Sequence, residues 1–194
     1  ADQRPWHRPG VRAPWAMRLS FGAMSPGRTV IPKTRIDSWA DLAALLPMVE
    51  GGRWLFRGES QSGWELRPSA GRVGRHTGAA RKIPFDRTHE RAILKLFKRQ
   101  ARPYLSHTPS TDCEWLAVAQ HHGMHTRLLD WTESLFVAAY FAVLHAGVNG
   151  PAVIIGVRDV PEISQREENA PLDLRRVAVV YRPPHIAPRI PAQR

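Results

Sequence analysis

The sequence predicts an α+β fold: helices followed by a mainly antiparallel sheet, in a single domain behind a disordered leading tail. Three observations predict it. Four stretches carry apolar residues at helical spacing between recognisable caps. The clearest β-rich runs, at 151–157 and 175–181, come late. The first 32 residues hold five prolines interleaved with arginines and keep no regular period. At 194 residues, 43% of them hydrophobic, the chain has the length and apolar content of one folded domain.

The leading segment 1–32 reads as a basic Pro/Arg-rich tail, with the domain proper spanning 33–194. It lacks the apolar centre of a targeting peptide. Asp37 to Val49 reads as the first helix, capped by Asp37 or Ser38 and ended by Gly51-Gly52. Arg53 to Arg57 reads as a short strand closed by Gly58. Loop then runs through 68–78. Thr88 to Leu105 reads as a second helix, with Ile93, Leu94, Phe97 and Ala101 as its apolar stripe. Its other faces carry Arg91, Lys95, Lys98, Arg99 and Arg102, a surface for a polyanion or simply for solvent.

Glu114 to His122 reads as a third helix, stopped by Gly123 at a left-handed C-cap. Asp130 and Glu133 match a capping box for a fourth helix, Ser134 to His145, apolar enough all round to lie in the core. The β-rich runs 151–157 and 175–181 flank a polar loop, and 183–191 is proline-stiffened and extended.

Composition narrows the function classes. A lone cysteine, Cys113, excludes an internal disulfide framework and fits a reducing cytoplasm. No apolar run reaches the roughly 18 residues of a membrane span, so no membrane partner is expected. Twenty-eight Lys and Arg against 17 Asp and Glu give a formal net charge of +11. That charge suits nucleic acid or nucleotides, or reflects an arginine bias with no partner behind it.

Chemistry-bearing residues gather in two places. Arg57 ends an apolar strand, where a guanidinium grips phosphate or carboxylate, and Gly58 admits a ligand or another backbone. The competing reading pairs Arg57 with an internal carboxylate such as Asp130. Between Gln120 and Ser134 stand His121, His122, His125, Thr126, Arg127, Asp130 and Thr132. His121 and His125 are four apart, but Gly123 interrupts the helix that would align them, and no acidic ligand stands at a motif spacing. No metal site is expected. Neither a Gly-x-Ser-x-Gly elbow nor a phosphate-cradling glycine loop occurs. Polar recognition remains: Arg127 for an anion, Thr126 and Thr132 as hydroxyl donors, His122 or His125 as titratable donors.

Trp54-Leu55-Phe56-Arg57-Gly58-Glu59-Ser60 with Trp64 to Ser69 resembles the opening of the FRG domain, named for its Phe-Arg-Gly motif. Gln120-His121-His122-Gly123 with Thr126 to Thr132 resembles that family's central signature. Tyr181 to Ile186 with Arg189 to Gln193 resembles its C-terminal part. The Arg-Gly strand is also similar to the NAD-gripping strand of ADP-ribosyltransferases. The resemblance implies a toxin or phage-defence effector using NAD as substrate. Arg57, with Gly58 and Ser60, would hold the nucleotide phosphates. Gln120, His122, Thr126 and Arg127 would form an adjoining wall. Asp130 and Glu133 are the carboxylates nearest the signature for the catalytic role. The acceptor, protein or nucleic acid, stays open. Two alternatives stand beside this: a nucleic-acid-binding module, with Trp54, Trp64, Trp115 and Trp131 as stacking platforms, and a non-catalytic sensor or interaction domain.

Overall fold

The computed structural model of the chain describes residues 17–23, 33–72, 87–144, 151–174 and 178–184. The elements in order are β1 (Met17–Ala23), β2 (Lys33–Ile36), α1 (Trp39–Ala43), α2 (Leu46–Val49), β3 (Trp54–Glu59), α3 (Arg87–Ala101), α4 (Asp112–His121), α5 (Leu135–Val143), β4 (Val153–Arg158) and α6 (Gln165–Glu168). They fall into two compact units. The first is Ala1–Trp64 with Glu133–Arg158; the second is Glu65–Thr132 with Asp159–Arg194.

The first unit is a four-stranded sheet in the order β2-β1-β4-β3. β1 pairs antiparallel with β2 and parallel with β4, and β3 pairs antiparallel with β4. Two of the three pairings are antiparallel, so the α+β class with a mainly antiparallel sheet stands. Helix α5 supplies Leu135, Ala138, Ala139 and Ala142 to the core at i, i+3, i+4, i+7 spacing, where they meet Phe56, Ile154, Ile36 and Leu42. Three alanines on that stripe let the helix sit down on the strand. At Gly58 the approach is so close that a Cβ would overlap the carbonyl oxygen of Ala138 and lie 2.5 Å from the amide nitrogen of Ala142.

Several expectations for this unit are corrected. β1 lies inside the segment read as a tail; Met17, Leu19 and Phe21 do alternate with Arg18 and Ser20, a strand pattern masked by the prolines around it. The rest of 1–32 lies outside the described residues. The helix expected over 37–49 is two short ones, because Pro47 cannot continue a helix and instead sits in the first turn of α2. Ser38, not Asp37, caps α1, its Oγ accepting from the Asp41 amide at 3.2 Å. Gly58 is inside β3 and does not close it. Asp130 does not cap α5; Ser134 does, accepting from the Val137 amide at 3.3 Å. Nor is α5 buried all round, since Phe136, Tyr140 and Phe141 are exposed.

The second unit packs α3 against α4 around Leu94, Trp115, Leu116 and Leu172, with Phe97 meeting Trp115 edge-on. Pro103 ends the long helix earlier than expected, at Ala101, followed by one 3₁₀ turn. Thr111 caps α4, accepting from the Glu114 amide at 3.2 Å. Gly123 terminates that end as predicted, with φ +85°, and the Met124 amide donates back to the Ala119 carbonyl. The polar stretch before 173 is not all loop: α6 is held by a capping box in which Ser164 and Glu167 bond each other's backbone. The strand expected over 175–181 is, in its described part, a single bridge from Val180 to Glu162. Among the described residues no helix is long and apolar enough to cross a membrane.

Candidate functional site

Strand alternation decides what surrounds Arg57. Trp54, Phe56 and Gly58 share the side that meets α5; Leu55, Arg57 and Glu59 share the other. Gly58 is therefore consumed by backbone packing on α5, the second of the two uses its lack of a Cβ allowed. Arg57 Nε donates to Glu59 Oε1 at 2.6 Å. The arginine side chain is 18% exposed and the glutamate 6%. Arg57 does pair with a carboxylate, that of Glu59, two residues along its own strand. The opposing residues on β4 are Ile155 for Arg57 and Val153 for Glu59, both apolar. Ser60, immediately after the strand, is buried. Glu133, just ahead of the α5 cap, is exposed.

In the second unit the polar corner is bonded chiefly to itself. Thr126 is fully buried, its hydroxyl donating to Gln120 Oε1 and accepting from the Leu128 amide. The Thr126 amide donates to Ser69 Oγ, and its carbonyl accepts from the Ala70 amide and the Ser69 hydroxyl. Gln120 turns its Nε2 to Asp130 Oδ1 at 2.7 Å. One glutamine thus joins the end of α4 to both sides of the 122–132 loop.

Arg127 is clamped across three segments. Its Nε lies 3.0 and 3.1 Å from the two oxygens of Glu90 and its Nη2 2.6 Å from Oε2, while Nη1 donates to the Pro171 carbonyl at 3.1 Å. Its side chain is 22% exposed against 5% for Glu90. An arginine so engaged holds α3, the corner and the 171–173 turn together. His122 is exposed at the end of α4, its amide donating to the Val118 carbonyl and its ring near those of Phe97 and His121.

Other groups fall away as catalysts. Cys113 is buried on α4, and burial, seconded by Glu168 and Asp112, pushes its thiol up to about 12. A thiol so raised is no nucleophile near neutral pH. Burial also raises the Tyr181 phenol, partly opposed by the Thr111 hydroxyl. Among the described residues no group of three or more His, Cys, Asp or Glu could hold a metal ion. Lys98 is not part of a free basic face: it pairs with Asp112 at 2.5 Å and lies over the Trp115 ring. Trp115 is core, and Trp54 stacks on Phe56.

The expected residues therefore divide. Arg57, Gly58, Ser60 and Glu133 belong to the first unit; Gln120, His122, Thr126, Arg127 and Asp130 belong to the second. Sequence reasoning missed Glu59 and Glu90. The signal for Glu59 was available, since i and i+2 on a strand share a face. Glu90 lies 37 positions from Arg127 and left no such trace.

A family model for the FRG domain matches residues 52–148. No curated protein and no solved structure matches the chain.

Proposed function

The chain belongs to the FRG domain family, and from that premise we propose that it binds NAD through Arg57 and transfers ADP-ribose, as a toxin-like or phage-defence effector. The observation that carries this reading is the Arg57–Glu59 pair. An arginine and a carboxylate stand side by side on one strand face, and their bond joins residues the strand already holds together. The pair sets a guanidinium and a carboxylate on one strand face at 2.6 Å, the two kinds of group this chemistry calls for.

The donor set suits the substrate. A guanidinium offers planar, paired N–H donors for a diphosphate, and Glu59 bonded at Nε orients it. Transfer breaks the nicotinamide–ribose bond; nicotinamide leaves with the bonding pair, and the acceptor's nucleophile bonds to the ribose carbon. Glu59 takes the acceptor's proton and steadies positive charge building on the sugar. This assigns to Glu59 the carboxylate role for which Asp130 and Glu133 are the other candidates. In this reading Gln120, Thr126, Arg127 and Asp130 serve the second unit's fold, and Ser60 lines the strand end beside the anchor.

Calorimetry with NAD and label transfer from labelled NAD test the reading. The double variant Arg57→Gln with Glu59→Gln is expected to stay folded and lose NAD binding. Glu59→Gln alone should keep binding and lose transfer by at least a hundredfold. Unchanged NAD affinity in the double variant, or no affinity in the parent chain, overturns the proposal.

A further inference from the structure

Helix α3 spends one face on the core of its unit, through Glu90, Leu94, Phe97 and Ala101. Arg91, Lys95 and Arg99 follow at steps of four, which on a helix makes one stripe about 12 Å long, and Arg102 begins the 3₁₀ turn that continues from its end. All four are exposed. At the start of the stripe Arg91 and Arg87 share Asp173, at 2.8 and 3.8 Å. Beyond it, Lys95, Arg99 and Arg102 have no ion-pair partner among the described residues. The helix's own carboxylate, Glu90, is buried under Arg127. Three exposed cations thus follow one another on this surface with no carboxylate paired to them among the described residues.

The same end of the helix presents an aromatic ring. Tyr104 follows Arg102 by two residues in the 3₁₀ turn and is 88% exposed. An aromatic left that open is paired with no core, and Leu96, also exposed, lies one position after Lys95.

We propose that this stripe, Lys95, Arg99 and Arg102 with Tyr104 at its end, is a binding surface for single-stranded nucleic acid. The charges match a phosphate backbone, and the ring offers a base a stacking platform, the combination by which single strands are held without sequence preference. A bilayer fits less well, because the apolar face of α3 is already committed to Leu94, Phe97 and Ala101 packing, which leaves no broad apolar face to insert. The surface shares no residue with the Arg57 reading and requires nothing of NAD.

Fluorescence anisotropy with labelled oligo-dT and oligo-rU, on the whole chain at several salt concentrations, tests this. Both oligonucleotides are expected to bind, with affinity falling steeply as salt rises. Replacing Lys95, Arg99 and Arg102 together by Gln should weaken binding at least tenfold and flatten the log–log salt slope by about 2, the contribution of three phosphate contacts on a single strand. Tyr104→Ala should weaken binding about tenfold and leave the slope unchanged; Tyr104→Phe, which keeps the ring, should bind as the parent does. Arg166→Gln, an exposed basic residue elsewhere in the same unit, is the control and should change little. The proposal is overturned if the parent chain binds neither oligonucleotide, or if the triple variant binds as well as the parent. It is also overturned if anionic vesicles bind with the same dependence on all four residues. Since the substituted residues are exposed, unchanged thermal melting of the variants separates loss of binding from loss of fold.

Discussion

Each unit of this protein holds an arginine on a carboxylate, and the two pairs do different work. Arg127 reaches Glu90, 37 residues earlier, and the carbonyl of Pro171, 44 residues later. Arg57 bonds a residue two positions away on the same strand. The first pair closes long loops and so holds otherwise separate segments in one arrangement. The second closes nothing the strand had not closed. Glu59 and Glu90 are almost equally buried, so burial does not distinguish the pairs. Span along the chain does. A long-span clamp reads as architecture, and a short-span one leaves room for a functional role.

That contrast can be broken or sharpened by measurement. The largest effect is expected beside the short-span pair and not in it. Gly58→Ala places a methyl group against the backbone of α5 at Ala138 and Ala142, where neither atom can move without shifting the helix. A loss of about 4 kcal/mol or more is expected, read by urea denaturation or as failure to recover folded protein. If Gly58→Ala melts like the parent, α5 does not sit on β3 as described.

The next largest effect separates the pairs directly. Arg127→Ala leaves Glu90 buried without its charge partner and should cost about 3 kcal/mol. Replacing Arg127 and Glu90 together by Gln should still cost about 2 kcal/mol, because the contact to Pro171 and the bidentate geometry go too. The corresponding double change at Arg57 and Glu59 should cost about 1 kcal/mol or less. Equal losses in the two double variants would erase the distinction on which the functional assignment of Arg57 rests.

The smallest effect concerns a group in neither pair. The Cys113 thiol ionises near 9 when exposed and near 12 in the fold. Between those values the unfolded chain has released the proton and the folded chain has kept it, so stability falls as pH rises through that window. Below about pH 9 the thiol makes no pH-dependent contribution. A thiol-specific reagent at pH 8 is therefore expected to react with Cys113 only after denaturation. Fast labelling of the native protein would show the α4 core to be more open than described.

Legibility in the sequence followed the range of the interactions. Gly123 as the stop of α4 and Gly51 after α2 could be read because a left-handed residue after a helix is a local demand. Ser38 was one of two candidates for its cap. The α5 cap was misassigned to Asp130 because two capping patterns overlap within five residues. Only the fold shows that Asp130 accepts from Gln120 and that Ser134 caps the helix. β1 was hidden because the prolines around it outweighed its short alternation, and one of its partners, β4, lies far along the chain.

The sequence by itself determined the α+β class, two helices read over 88–105 and 114–122 where the fold has α3 and α4, the Phe-Arg-Gly strand and the polar corner after Gly123. Those rest on periodicity, caps and motif order, all properties of neighbouring residues. The tertiary structure decided which partners the polar residues meet. Thr126, Gln120, Asp130 and Arg127 looked alike as candidates for a site. Burial and pairing across tens of residues turned them into the ties of one unit. The same folding left Arg57 bonded within its own strand and Lys95, Arg99 and Arg102 facing water. Which polar group is spent on structure depends on partners brought together only by folding.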